Sequence, residues 1–330
     1  MISTLSKLIL STTITLLLPA LFSCSIETEY MTKISVSYPE HTDYSGYLDI
    51  FAFDNDMLMQ LDSYMHCESF SERSLHFRSQ YGEKTIFVCA NGQRDIINWA
   101  TVNSIESLNE VYVELSKERK ESLCMTGIGE ASAGSDETCF IDMKRMASEV
   151  IIRSLSFDFS GKSYEGIKVH DLKAYLTNVN TRCSITAEGD IMPLSIINAG
   201  RFEPGDIENF IQQDMIIQNI PADIGNTPCI LDLKFLCYPN ASRTEGPGTP
   251  FTRLVIEGTM NGNTCWWPID INRYPDSEKP GIHRNTQYIF DIRLTGKGSS
   301  DPDTPLEKEN ADIKMEIRKW NEKEDHIVRF

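Results

Sequence analysis

Cys24 is the residue whose type and position most directly imply chemistry. Lys7 precedes an apolar run from Leu8 to Leu18, and the cysteine follows shortly after this run. This order is typical of an export signal, and the run is too short to span a bilayer comfortably. A cysteine at such a cleavage position can be thioether-linked to diacylglycerol, and two acyl chains anchor a protein stably. The sequence therefore predicts a lipoprotein signal over residues 1–24. The alternative is an ordinary secretory signal with a chance cysteine, which the bulky Phe22 favours.

Patterns for catalysis or metal binding do not rise above background. The sequence contains no HExxH, GxSxG, P-loop or GxGxxG motif, and its six histidines include no i, i+4 pair. We interpret the fragment Gly127-Ile128-Gly129 as part of a turn. Acidic pairs such as Asp54 and Asp56 lack the further oxygen ligands and closing glutamate of a calcium loop. We therefore expect no enzymatic activity, no metal and no cofactor; a hydrolase assembled from distant residues has no supporting motif.

The aromatic pair Trp266 and Trp267 is the strongest candidate for a contact surface. Adjacent residues of a strand face opposite sides of the sheet. One tryptophan is expected to enter the core, while the other faces outward, where it could stack on a sugar ring or a partner protein. The alternative is that both rings simply cap the hydrophobic core.

Composition indicates an ordinary globular body. The formal net charge is −17, which argues against nucleic-acid binding because a phosphate backbone needs a basic face. The roughly 300 residues after Cys24 suggest two domains. Eight further cysteines are scattered singly, several inside apolar runs. In such runs a cysteine behaves as a small buried hydrophobe, so we expect mostly free thiols with at most one or two disulfides.

Short alternating segments separated by Gly, Asn and Asp predict an all-β fold built from β-sandwiches. Small helical decorations are expected over Gln93–Ala100, Ser107–Leu115 and Pro204–Gln213. The polar turn at residues 160–163 is the best domain boundary, which gives an N-terminal domain over 25–160 and a C-terminal domain over 161–330. The strand predictions are Ile34–Tyr38, Tyr47–Phe53, Leu75–Phe77, Thr85–Cys89, Glu149–Phe159, Ile167–Val179, Cys229–Tyr238, Arg253–Thr259, Thr264–Ile271, Gln287–Thr295 and Asp312–Trp320.

The order of several short motifs resembles the fimbrillins of Bacteroidetes, the FimA and Mfa-like superfamily of lipoprotein pilins. After the signal come YLDIFAFDND, TIFVCANG, CMTG and IDMKRMASEVII, and later LKAYLTNV, WWPIDIN, GIHRNTQYIFDIRLTGKGS and IKMEIRKWN. The more specific parts are Met125-Thr126-Gly127 before Arg145-Met146-Ala147, His283-Arg284-Asn285 with Tyr288, and Trp320-Asn321. Each motif alone is weak, but their order covers nearly the whole chain. The resemblance implies two transthyretin-like β-sandwich domains.

The resemblance also implies assembly by strand donation. Such pilins are exported as lipidated precursors, a protease cuts after the first strand, and a strand of the next subunit fills the groove that remains. Open strand edges make this pairing favourable, because main-chain hydrogen bonds supply affinity and alternating side chains supply register. The candidate first strand carries Ile34, Val36 and Tyr38. The candidate donor is the tail 312–330, which carries Ile313, Met315, Ile317, Ile327, Val328 and Phe330. The alternative for this tail is an ordinary last strand of its own domain.

One departure from the family pattern concerns maturation, which occurs at an arginine in the best-known members. No arginine lies between Cys24 and Arg73, and Lys33 is the basic residue that precedes it. A subunit that keeps both its lipid and its first strand cannot accept a donor strand and would resemble an anchor. The expected partners are therefore other fimbrial subunits, the outer membrane through a lipid anchor, and a host or bacterial surface ligand. A second hypothesis is a monomeric surface lipoprotein that binds glycan or a host matrix protein.

Overall fold

The computed structural model describes residues 29–37, 46–68, 74–220, 224–243, 246, 248, 250–273, 277 and 279–320, together with the backbone of 326–329. The predicted lipidation residue Cys24 lies outside the described residues, as do Tyr38, Arg73 and Phe330. Within the described ranges, no helix has both the length and the apolar character needed to cross a membrane.

The first part of the chain forms two facing sheets, which we call the first sandwich. A three-stranded sheet has the order β4-β1-β8, and a five-stranded sheet has the order β3-β2-β5-β7-β9. The strands are β1 (Glu29–Ser37), β2 (Leu48–Asp54), β3 (Leu61–Cys67), β4 (Ser74–Gln80), β5 (Gly82–Ala90), β6 (Tyr112–Glu114), β7 (Met125–Ala133), β8 (Thr138–Asp142) and β9 (Lys144–Arg145).

The remaining chain forms the second sandwich, from a sheet of order β16-β10-β19-β20-β21 and one of order β15-β11-β17-β18. The strands are β10 (Ser148–Phe157), β11 (His170–Thr177), β12 (Val179–Asn180), β13 (Arg182–Ser184), β14 (Ile196–Ile197), β15 (Ile217–Asn219), β16 (Cys229–Cys237), β17 (Arg253–Met260), β18 (Asn263–Asp270), β19 (Thr286–Leu294), β20 (Ala311–Lys319) and β21 (His326–Arg329). Small pairs are β12 with β14 and β6 with β13, and the latter pair joins the two parts of the chain.

Helical structure is limited to single turns in the described residues. The α-helix α1 (Ile105–Asn109) is capped by Ser104, whose side chain accepts a hydrogen bond from the Ser107 amide in a reciprocal capping arrangement. The 3₁₀ turns are Trp99–Thr101, Leu115–Lys117, Pro204–Ile207, Gln213–Met215 and Lys308–Asn310. The predicted all-β fold with small helical decorations is confirmed. The predicted helix over Ser107–Leu115 is only partly helical: residues 107–109 end α1, whereas Tyr112–Glu114 form β6, which pairs with β13.

Strand pairing changes from one sandwich to the other between β9 and β10. β10 pairs antiparallel with β16 and parallel with β19, and both partners belong to the second sandwich. The change therefore falls between Arg145 and Ser148, before the boundary expected near residue 160. A polar turn does follow β10 at that expected boundary, but this turn joins two strands of the second sandwich.

Two apolar cores fill the part of the molecule that the structure describes. The smaller core lies between the two sheets of the first sandwich and includes Ile34, Ile50 and Val88. The larger core is continuous from the outer face of β2, at Phe51 and Phe53, through to the second sandwich. Because β2 alternates between the two cores, both of its faces are buried. All eight cysteines in the described part of the chain are unbridged.

Candidate functional site

The central feature of the first sandwich is the position of β1 inside its sheet. β1 pairs antiparallel with β4, from Glu29↔Gln80 to Ser35↔Ser74, and parallel with β8, from Lys33↔Thr138 to Ser37↔Asp142. In the described residues β4 and β8 are joined through β1. Without β1, the facing edges of both strands would lose their hydrogen-bond partners, and open edges of this kind recruit other strands.

The inward side chains of β1 are part of the smaller core. Ile34 and Val36, two of the predicted first-strand residues, are fully buried there with Phe77 and Ile141. Thr32 points the same way, and its hydroxyl lies 2.6 Å from that of Ser79. Burying an Ile or Val side chain contributes about 1.5–3 kcal/mol each. β1 therefore supplies both main-chain pairing and core volume.

The interpretation of Gly127 and Gly129 as part of a turn is wrong, because both lie within β7. A Cβ atom on Gly127 would come within 2.6 Å of Ile141 Cγ2, and one on Gly129 within 2.9 Å of Cys139 Sγ. The glycines are needed because side chains of β8 occupy the space where their own side chains would project. They let β8 pack closely over β7 and thus close the sandwich around β1.

The predicted donor tail begins as an inner strand of the second sandwich. β20 pairs with β19 along its whole length, from Thr286↔Lys319 to Leu294↔Ala311, and with β21 on its other side. Ile313 and Met315 are buried in the larger core, and Ile317 packs against it half-buried. The backbone of Ile327 and Val328 lies in β21, which ends the sheet within the described residues.

An ionic network covers the outer side of β20. Glu316 is buried and accepts hydrogen bonds from Arg153 of β10, at 2.9 Å, and from Arg318. Arg153 also pairs with Asp291 of β19 at 2.6 Å. Burial alone would raise the pKa of Glu316, but the hydrogen bonds from Arg318 and Arg153 hold it below its ordinary value. The network ties β20 to its own sheet at the level of Glu316.

The two tryptophans lie on opposite faces of β18. Trp267 is fully buried, donates to the Gly296 carbonyl at 3.0 Å and meets the Phe157 ring edge-on. Trp266 is half-buried on the outer face, where its indole N–H donates to Glu257 at 3.1 Å. The same carboxylate accepts from the Tyr175 hydroxyl. Because Trp266 is half-buried, only part of its indole is accessible to a ligand.

Arg284 holds the two sandwiches together from a buried position. A guanidinium group has five N–H donors, and here all five are used. Its hydrogen bonds run to the carbonyls of Arg145 (3.3 Å), Lys144 (2.8 Å) and Ala187 (3.0 Å), the Thr126 hydroxyl (2.8 Å) and the Glu188 carboxylate (3.1 Å). Three of these acceptors belong to β7 and β9 of the first sandwich, so Arg284 fixes the junction between the sandwiches.

Two more of the short motifs meet at the same junction. Asn285 has a left-handed backbone (φ 56°), and its side-chain oxygen accepts from the Arg145 amide at 3.2 Å. Its own carbonyl accepts from the Trp320 amide at 2.9 Å. The Arg145 guanidinium lies 4.4 Å from the centre of the Trp320 ring, a cation–π contact. Thr126, Arg145, Arg284, Asn285 and Trp320 therefore form one structural unit, which sequence reasoning noted only as separate motifs.

A buried carboxyl adds a second link across the junction. Glu118 accepts from the Cys124 amide at 3.0 Å and from the Tyr238 hydroxyl at 2.8 Å. Burial raises the pKa of Glu118 to about 7, and the two hydrogen bonds only partly oppose this. Tyr238 belongs to the second sandwich and also contacts Gln93, so the carboxyl is enclosed between the two parts of the chain.

A cleft of about 390 Å³ opens beside this junction. Its lining mixes both charge signs with apolar groups: Lys120, Leu123, Glu149, Gln218, Asp232, Lys234, Leu236 and Trp320. In the described residues, no group of three or more His, Cys, Asp or Glu side chains is placed to hold a metal ion. Among the predicted residues whose side chains the structure describes, Ile34 and Val36 lie in the smaller core and Ile313 and Met315 in the larger one, so they share no common pocket.

No protein-family profile matches the chain, and no curated protein matches it in sequence. Its fold is nevertheless similar to solved structures. A proposed cell adhesion protein from Parabacteroides distasonis superposes with a TM-score of 0.61 at 18% identity, over 91% of this chain and 99% of that one. One from Bacteroides eggerthii gives 0.65 at 15% identity, over 88% and 96%.

A fimbrilin (FimA) from Porphyromonas gingivalis gives a TM-score of 0.63 at 12% identity, over 88% of this chain and 97% of that one. The similarity extends through both sandwiches, because it covers most of each chain. The protein has a fimbrillin-type fold, as the motif order indicated.

Proposed function

We propose that this protein is a non-enzymatic structural subunit of a cell-surface fimbria, held in the outer membrane by a diacyl group on Cys24, which contributes to adhesion. The observation that carries the proposal is the position of β1 between β4 and β8. The likeness to a fimbrilin and to proposed adhesion proteins supports the general class. A subunit whose own β1 fills the groove has no vacancy for a donor strand, so we assign it an anchor or accessory position.

Maturation at the first available arginine would not simply uncover the groove. Arg73 follows β3 in the chain, so a cut there would detach β1, β2 and β3 together. β2 lies between β3 and β5 in its sheet, and its faces belong to both cores. Losing it would destroy the first sandwich and would leave no groove. We infer that β1 stays attached in the mature protein.

The donor is best placed at the very end of the tail. β20 is an inner strand with Ile313 and Met315 buried in the core, so its departure would open the second sandwich. β21 is a short strand paired only with β20 in the described residues, from Lys314↔Arg329 to Ile317↔His326. It can leave with few losses. We therefore assign the donor role to the segment after Trp320, with Ile327, Val328 and Phe330 as its apolar side chains.

The decisive experiment is mass spectrometry of the protein isolated from its native membrane and from assembled fimbriae. The expected product begins at a diacylated Cys24 and retains Ile34 and Val36. A mature N-terminus beyond Ser37 in fimbrial material would refute the anchor assignment, because β1 would then be absent.

Two truncations separate the donor role from a purely structural one. Ending the chain after Trp320 removes β21 and should leave both sandwiches folded while abolishing incorporation into fimbriae. Ending it after Asn310 also removes β20 and should unfold the second sandwich. Normal incorporation into fimbriae of the chain that ends at Trp320 would exclude the donor assignment.

The alternative of a monomeric glycan-binding lipoprotein receives less support. Its candidate contact residue Trp266 is half-buried, which leaves only part of the indole accessible to a sugar. The same purification decides between the two, because a glycan-binding monomer would not copurify with other fimbrial subunits.

A further inference from the structure

We propose that one end of the first sandwich is a membrane-contacting surface, which inserts apolar side chains into the headgroup region of the bilayer that carries the lipid anchor. We call this surface the pole. It comprises the start of β1, the β2–β3 loop (residues 55–60), the β4–β5 turn (81–82) and the β7–β8 turn (134–137). The inference rests on the proposed lipidation of Cys24 and specifies how the body lies on the membrane.

The strand register places these four segments at one end of the sandwich. Glu29 of β1 pairs with Gln80, and Gly82 pairs with Ala133. The Asn55 amide donates to the Glu83 carbonyl at 2.9 Å, which brings the β2–β3 loop to the same end. The β4–β5 and β7–β8 turns each pass from one sheet to the other at this end, so the pole includes segments of both sheets.

The pole exposes large apolar side chains that contribute little to the cores. Met57 and Leu58 at the tip of the β2–β3 loop are 96% and 68% exposed. Tyr81 is 74% exposed and packs against Tyr30, with 5.5 Å between ring centres. Met and Leu partition into the bilayer, and Tyr is favoured where an apolar ring meets the polar headgroups. Met57, Leu58, Tyr30 and Tyr81 therefore give this end the apolar and aromatic side chains that suit contact with a membrane interface.

The loop that presents Met57 and Leu58 has a defined conformation. The Asp56 side chain accepts hydrogen bonds from the amides of Leu58 and Met59, both at 2.9 Å. Met59 has a left-handed backbone (φ 44°). These restraints turn the chain at the tip, so the two apolar side chains project outward in a fixed loop.

The length of chain between lipid and body identifies the bilayer as the occupant. Four residues, 25–28, lie between Cys24 and Glu29. The five Cα–Cα steps span at most about 3.6 Å each, so the pole lies within roughly 18 Å of the acylated cysteine. The described strand β1 begins at the pole and runs away from it. An anchored body must therefore present this end, and no other end of the first sandwich, to the membrane.

Charge at the pole selects the kind of lipid. Glu29, Asp56, Glu83, Asp136 and Glu137 are exposed there, and Arg78, 3.4 Å from Glu29, offsets one of these five charges. An anionic membrane would repel these carboxylates. The contact therefore suits a zwitterionic lipid surface, and its attraction comes from the apolar side chains.

Hydrogen–deuterium exchange of the acylated protein in phosphatidylcholine nanodiscs tests the inference. The reference is the same chain beginning at Ser25, without lipid, free in solution. We expect exchange in residues 55–59 and 81–83 to slow about tenfold on nanodiscs. Residues 138–142 serve as the control, because Phe140 is 79% exposed but lies about 20 Å along β1 from Glu29. Their exchange should not change.

Matched variants make the test specific. The double substitution Met57→Ser with Leu58→Ser should abolish the slowing at the pole, while Phe140→Ser should leave it intact. Unchanged exchange at the pole of a protein shown by mass to carry its acyl chains would overturn the membrane contact but leave the anchor standing. Absence of acyl chains on Cys24 would overturn both. If hydrogen–deuterium exchange at the pole slows only in lipid-free fimbriae, the pole contacts a neighbouring protein and the membrane inference is refuted.

Discussion

Replacing Arg284 by lysine tests whether the junction holds the two sandwiches together. The guanidinium makes five hydrogen bonds, whereas an ammonium group has three donors at a single nitrogen. At least two acceptors lose their donor. Glu188, with a side chain 53% exposed, can turn to water, but the carbonyls of Lys144 and Arg145 cannot easily do so. Each unpaired buried group costs about 1–3 kcal/mol, so Arg284→Lys should lower the free energy of unfolding by about 2–4 kcal/mol.

Urea unfolding measures this change. Trp99 reports on the outer layer of the first sandwich and Trp267 on the core of the second. Loss of the junction should shift the midpoint and separate the transition into two steps. The matched control is Arg201→Lys, because Arg201 is 73% exposed and pairs with Glu203 at the surface; its effect should stay within about 0.5 kcal/mol. Equal midpoints for the two variants would refute the structural role of Arg284.

Three further predictions concern the cores and the buried charges. Ile34→Ala should destabilise the first sandwich by about 2–5 kcal/mol in urea unfolding, whereas exposed Lys33→Ala on the same strand should have little effect; equal effects would contradict the seating of β1. Glu118 has a folded pKa of about 7 against its ordinary 4.5, so the folded state binds more protons between these values. The free energy of unfolding should fall by about 3 kcal/mol as the pH rises from 4.5 to 7. Glu118→Gln should remove this component, and an unchanged pH profile would show that Glu118 does not titrate there. Lys84→Met should cost about 3–5 kcal/mol, because it leaves the buried Asp62 carboxylate, 3.1 Å from the Lys84 ammonium, without its cation; wild-type stability would contradict this.

The sequence predicts a strand correctly where at least one face of that strand is apolar and buried. β5, β17 and β19 follow the predicted segments closely, because alternation or a continuous apolar run marks a buried strand. β3 was missed, since its residues are only half-buried and carry no clear alternation. β7 was missed because Gly127 and Gly129 signal a turn in isolation. The need for glycine there arises from β8, which is distant in sequence.

The junction could not have been assembled from sequence alone. Arg284 resembles a solvated arginine, and its partner Thr126 lies 158 residues earlier in the chain. No local period relates such positions, so only the three-dimensional arrangement brings them together. The motif order did detect these residues individually, but it could not distinguish a structural junction from a ligand site.

The position of β1 gives the molecule a direction. β1 starts at the pole, runs through the middle of its sheet, and so closes the groove that an incoming strand would need. In the described residues, the strand β21 that follows β20 lies at the edge of the second sandwich. Arg284 fixes the second sandwich to the first. In the proposed anchor role, a body whose groove is already filled and whose tail ends in a short edge strand would donate a strand but would not receive one. This asymmetry is the reason for the proposed position at the base of a fimbria, where growth would stop at the membrane and continue away from it.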